Sequence, residues 1–253
     1  MWKCRSCCAL FLLCGSAFGQ APAPRQEFEA AVMKLNTSGQ TDASFRILPS
    51  GLFSAVNIRM IDIFQFAFKV RKETTSGAPG WFNSDRFDIT GRAQANSKED
   101  TFREMLGTLL IQELKLKMHI QPTEMSAYAL VIGKGGPRMQ IASGTGEPEC
   151  LPVGEQGAQF GGAHRACTNL KMSDLAQALP DLASSYVDKT VVDQTGLTGS
   201  YDFRLDWVGR NNIDTLGGLT MFGAVEKLGL KLEEKKLTLP VVVIDHVEKP
   251  AAN

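Results

Sequence analysis

Asn57-Ile58-Arg59-Met60-Ile61-Asp62 returns 112 positions later as Asn169-Leu170-Lys171-Met172-Ser173-Asp174. Three further matches follow in the same order. Phe87-Asp88-Ile89 returns as Tyr201-Asp202-Phe203 and Leu114-Lys115-Leu116-Lys117-Met118 as Leu228-Gly229-Leu230-Lys231-Leu232, both 114 positions on, and Ala129-Leu130-Val131 returns as Val242-Val243-Ile244 after 113. Chance similarity would scatter these offsets, so their near constancy predicts one unit present twice.

Each copy predicts the same succession of elements. A short strand (52–56; 163–167) leads into a helix whose apolar residues recur at three and four, Ile58, Ile61, Phe64 and Phe68 in one copy and Leu170, Leu175, Leu179 and Leu182 in the other. Pro180 should kink or shorten the second helix. A further strand follows (86–91; 201–207), with Tyr201, Phe203, Leu205 and Trp207 alternating with polar residues as a half-buried strand requires. The second helix spans 98–114, with Phe102, Met105, Leu106, Leu109 and Leu110 on one stripe and Ser97 with Asp100 as a capping-box start. Its counterpart, about 215–228, is weakened by Gly217, Gly218 and Gly223. Both helices discharge into strands (115–120; 229–235), and a closing strand (128–132; 240–247) completes a hairpin. The expectation is an α+β fold of two duplicated units, each strand, helix, strand, helix, hairpin, with a two-layer sheet carrying its helices on one face. The units span 28–133 and 163–250, with a first strand near 28–35. A Gly/Pro-rich connecting loop, 134–162, joins them.

Ahead of the first unit, Lys3 and Arg5 precede the apolar run Cys7–Leu13 and the small residues Ala17-Phe18-Gly19, the order of parts of a signal peptide over 1–19. The run is too short to span a bilayer, so no membrane span is expected after cleavage. Residues 20–27 then form an Ala/Pro linker. Export places the protein in the periplasm or outside the cell. Cleavage near Gly19 removes four of the six cysteines and leaves Cys150 and Cys167, which an oxidising compartment would join as a disulfide. Lipid attachment at Cys14 and a catalytic thiol served by His164 are the lesser alternatives.

Lys+Arg and Asp+Glu are 27 each, and no local basic patch interrupts that balance, so nucleic acid is not an expected partner. The three histidines, His119, His164 and His246, are too far apart for metal spacing, although Asp245, His246 and Glu248 could join His119 if the two closing strands met. Hydrolase and nucleotide signatures are absent from the sequence. Two segments remain as candidate interaction or ligand loops. Asp193-x-Thr195-Gly196 offers polar groups and backbone donors, but its residue types also make an ordinary turn. Trp81, after Pro79-Gly80, is either an exposed aromatic anchor or a lid over the core. No catalytic residue, cofactor or metal site is expected.

Two resemblances add to this reading. The helix-strand order ending in Leu228-Gly229-Leu230-Lys231-Leu232 and Val241-Val242-Val243-Ile244, with Leu114–Met118 and Tyr128–Ile132 in the first copy, resembles the short N-terminal modules of secretin and TonB-type outer-membrane machinery. Such modules dock protein partners and carry no catalytic residues. Gly77-Ala78-Pro79-Gly80-Trp81 with Arg86-Phe87-Asp88-Ile89, the run Val192–Phe203, and Val243–Pro250 resemble an acidobacterial-type family of secreted proteins of unknown function. Together they imply an exported, non-catalytic docking module with an envelope protein as partner. An envelope hydrolase and a binder of cell-wall glycan or another small ligand are the alternatives.

Overall fold

The computed structural model of the chain describes residues 25–144, 146–154 and 162–250. The expected signal peptide lies outside the described residues, as does most of the linker.

The first sheet is built from β1 (Ala30–Leu35), β2 (Ser44–Ile47), β3 (Leu52–Arg59) and β5 (Arg86–Arg92), in the order β1-β5-β3-β2 and antiparallel throughout. α1 (Met60–Phe68) leaves the end of β3, and α3 (Glu99–Glu113) packs beside it, with the short β4 (Thr75–Ser76) and α2 (Trp81–Ser84) between them in sequence. β5 shows why the sheet is one-sided: Phe87 and Ile89 are fully buried while Arg86, Thr90 and Arg92 are exposed, the period of two that puts alternate side chains on opposite faces.

A second antiparallel sheet repeats that order with other strands. β7 (Gln140–Ile141), β8 (Glu149–Pro152), β9 (Gly162–Lys171) and β11 (Ser200–Val208) are arranged β7-β11-β9-β8, with α4 (Met172–Leu182) leaving β9 as α1 leaves β3. The expected connecting loop thus contributes β7 and β8. β10 (Val191–Asp193), α5 (Ile213–Leu216) and α6 (Met221–Lys227) complete this half.

The exit from sheet to helix is built alike in both halves. Asn57 and Asn169 sit at register shifts in β3 and β9 with φ of 57° and 53°. This left-handed conformation is one that asparagine tolerates better than most residues. The backbone N–H of Asn57 donates to Asp88 Oδ1 at 3.0 Å, and that of Asn169 to Asp202 Oδ1 at 2.8 Å. The bulged residue is therefore pinned by an aspartate on the neighbouring strand, and the helix begins three residues beyond it in both halves.

The expected hairpins are replaced by something larger. β6 (Lys117–Ile132) and β12 (Leu230–His246) are single long strands that pair with each other, antiparallel, along nearly their whole length. β10 joins the outer edge of β6 and β4 that of β12, both parallel, giving a mixed sheet β10-β6-β12-β4. Each long strand starts in one half and ends in the other. Val242 and Ile244 of β12 pack into the first core with Phe53, Phe64, Phe87 and Phe102, whereas Tyr128 and Leu130 of β6 pack into the second with Leu175, Leu179, Phe203 and Leu205. The arrangement is mixed α/β with three sheets and six α-helices among the described residues, and the two halves share the central ribbon instead of closing as separate two-layer units.

Local expectations were adjusted in three places. Lys98, not Ser97, is the N-cap of α3, and the Ser97 hydroxyl donates to Gln94 O at 2.8 Å. The glycines at 217 and 218, both with positive φ, divide the expected 215–228 helix into α5 and α6, and Thr220 caps the latter by accepting from Gly223 N at 3.1 Å. Pro180 is accommodated in the last turn of α4, where its ring is buried.

Candidate functional site

A cleft of about 870 Å³ lies between the halves. Its floor is apolar and comes from the central sheet, with Val191 and Val192 of β10 and Leu239 and Pro240 of β12. One wall is the end of α1, the turn 69–74 and the start of α3; the other is α4. The volume lies in the range of ligand sites.

Lys69, Arg71 and Arg103 of the first wall are held by carboxylates. Lys69 Nζ lies 2.6 Å from Asp100 Oδ1, and this bond holds the Asp100 carboxyl below its usual range. Arg103 donates to Glu99 through Nε at 3.1 Å while its guanidinium stacks 3.9 Å over the Phe66 ring. Arg71 reaches across the cleft to Asp181 of α4 at 2.9 Å and also contacts Glu73 at 3.3 Å. The rim is thus a mixed-charge surface with most of its ions paired. Sequence reasoning missed it because its parts lie at 65–74, 99–103, 176–192 and 239–240, and only the closing of the ribbon brings them together.

The residues singled out from sequence are placed elsewhere or beside it. Trp81 begins α2, its ring 4.6 Å from that of Phe82 and 5.9 Å from that of Phe87, packed against the first core. Asp193 ends β10, next to the cleft floor. Its Oδ1 accepts from Thr195 N at 2.9 Å and from the Thr195 hydroxyl at 2.7 Å, and Thr195 Oγ1 accepts from Leu197 N at 3.2 Å. Thr195 is buried, Gly196 has φ of 70°, and Leu197 packs on the second core. The loop is a turn closed by its own side chains, the arrangement in which Asp and Thr stand in for backbone partners.

Cys150 and Cys167 face each other on β8 and β9 and form a disulfide. Both sulfurs are therefore engaged, and His164 instead places Nδ1 2.8 Å from Asp206 Oδ1. His119 does meet Asp245 across the ribbon, Nδ1 lying 2.9 Å from each carboxylate oxygen, and His246 Nε2 lies 3.2 Å from Glu248 Oε1. These remain separate pairs: among the described residues no group of three or more His, Cys, Asp or Glu side chains is gathered as a metal would need. No described helix is long and apolar enough to cross a membrane.

No curated protein and no solved structure matches the chain. The model of one family, described as a protein of unknown function (DUF3738), matches residues 61–247. That match takes in the second core, the ribbon, the cleft and the part of the first core that follows β3, and the chain belongs to this DUF3738 family.

Proposed function

We propose that the protein is an exported, non-catalytic docking module of the bacterial cell envelope, which holds a segment of an envelope protein in the cleft between its halves. The observation that carries this reading is the cleft itself, with an apolar floor and a rim on which Lys69, Arg71 and Arg103 are each already engaged by a carboxylate. Groups so paired suit a partner segment of mixed charge, whose ions can exchange with those of the rim, better than they suit proton transfer. The fixed Asp193 turn beside the floor supports a preformed site.

The same reading includes export through residues 1–19, to the periplasm or beyond, and descent from a duplicated unit. Duplication is supported by the common strand order of the two outer sheets, by the Asn57–Asp88 and Asn169–Asp202 pair, and by Lys115 and Gly229, which take left-handed φ of 50° and 76° after corresponding helices. An exchange of closing strands between two such units would yield the ribbon.

The test is crosslinking in the native envelope from a photoreactive residue replacing the exposed Gln177 in the cleft wall, followed by identification of the captured protein. Capture of one envelope protein from Gln177, and not from the remote exposed Glu226, is expected. Hydrolytic turnover by the purified protein that a chelator or thiol blocker abolishes would instead establish an enzyme.

A further inference from the structure

We propose that the protein has a second recognition surface, the free edge of β1, and that its occupant is the same strand of a second copy. Among the described residues the three sheets present six outer strands, and five of them offer little to pair with. β4 and β7 have two residues each, β10 has three, β2 has four and includes Arg46, and β8 has four, ends in Pro152 and is tied by the disulfide. The uncovered lengths of β6 and β12 are interrupted by Pro122 and Pro240. Short length, proline and charge are the usual protections of a sheet edge. β1, Ala30-Ala31-Val32-Met33-Lys34-Leu35, has six residues, no proline and a single charge. Val32 is 62% exposed.

The orientation of β1 follows from its last bond to β5. Asn36 N–H donates to Arg86 O at 2.8 Å, so in an antiparallel ladder Lys34 and Val32 also turn their backbone groups toward β5. Ala31, Met33 and Leu35 direct theirs to the uncovered side. Met33 and Leu35 pack their side chains on the first core, so this row lies on the inner face and Val32 and Lys34 lie on the outer.

Antiparallel pairing with a second copy about Met33 satisfies both constraints. Met33 then faces Met33 of the second copy, Ala31 faces Leu35, and Val32 faces Lys34, which continues the inner apolar row and sets no lysine opposite a lysine. Pairing about Lys34 would oppose the two charges, a destabilising arrangement, and pairing about Val32 would leave Leu35 outside the ladder. The product is one eight-stranded sheet with a two-fold axis at Met33, a self-complementary contact of the kind that closes dimers.

Four variants test this by sedimentation equilibrium and by oxidation. Pairing places the two Met33 Cα atoms about 5.5 Å apart, within reach of a disulfide, while residues 32 and 34 lie roughly 8 Å from their own counterparts. Met33→Cys is expected to give a reducible, disulfide-linked dimer under mild oxidant, whereas Val32→Cys and Lys34→Cys form no covalent dimer. Ala31→Pro removes one outward donor per copy at an exposed position without touching the bonds to β5, and is expected to weaken the dimer at least about tenfold, the loss expected of two hydrogen bonds and a blocked edge. A wild-type protein that is monomeric up to about 100 μM, beyond which a specific dimer would have formed, overturns the inference. So does a dimer untouched by Ala31→Pro, or one crosslinked through Val32→Cys in place of Met33→Cys. Since Gln177 and β1 belong to different surfaces, failure here leaves capture at the cleft as an independent result.

Discussion

Replacing Asp88 with alanine should destabilise the protein by about 2–4 kcal/mol, and replacing Asp202 should cost about half as much. Asp88 accepts two hydrogen bonds, from Asn57 N at 3.0 Å and Asn36 Nδ2 at 2.7 Å, with Lys34 Nζ a further 3.7 Å away. Asn57 is only 4% exposed, so deleting the carboxylate strands a buried donor, worth about 1–3 kcal/mol. The amide of Asn36 lies nearer solvent and contributes about 1 kcal/mol more. Asp202 accepts from Asn169 N at 2.8 Å, and Asn169 is half-buried, so water can replace part of what is lost. Urea unfolding with the disulfide intact gives both values as shifts of midpoint at constant slope. Asp88→Asn, which keeps an acceptor of the same shape, should fall between wild type and Asp88→Ala. Equal costs at the two positions, or less than about 1 kcal/mol for Asp88→Ala, would refute the argument from the buried Asn57 donor.

Acid should act through the same carboxylate. Burial works to raise the Asp88 pKa, but the bonds from Asn36 and Asn57 and the charge of Lys34 prevail and hold it below the usual range. Its contribution is therefore complete above the unfolded value of about 4 and is lost as pH falls through the lower folded value, a slope in stability against pH that Asp88→Asn should flatten. Lys115→Gly should stabilise by roughly 0.5–1 kcal/mol, because a left-handed φ of 50° costs a side chain that glycine lacks. Gly229→Ala at the corresponding position should cost more than about 2 kcal/mol, since its methyl would lie 2.0 Å from Gly136 O. Cys150→Ala with Cys167→Ala should remove about 3 kcal/mol, the value for closing a loop of this size, read from thermal or urea unfolding. Arg71→Ala should change stability by less than about 1 kcal/mol, because its cross-cleft partner Asp181 is largely exposed, while weakening capture of the cleft partner.

Much of the outer architecture was legible because it is written in local periodicity. The alternation in Tyr201–Trp207 and the stripe Phe102–Leu110 each bury the residues that pattern predicts, and the paired Asn57 and Asn169 segments stand at equivalent bends. The ribbon was not legible, and the reason is physical. In β6, Met118 packs beside the first core and Tyr128 and Leu130 lie in the second, with the exposed run Gln121–Glu124 between them. A strand that crosses between two cores therefore has buried ends and a polar middle containing Pro122, the same pattern that a hairpin has when one core receives both of its strands. Periodicity reports that a residue is buried but carries no label for the core that buries it. The cleft inherits the same ambiguity, because its floor exists only when β10 and β12 lie on opposite sides of β6 in one sheet. Had each half closed with its own hairpin, the halves would share no sheet and Arg71 of the first would have no Asp181 to reach. The shared ribbon thus does more than join the halves: it creates the surface on which the proposed docking function depends.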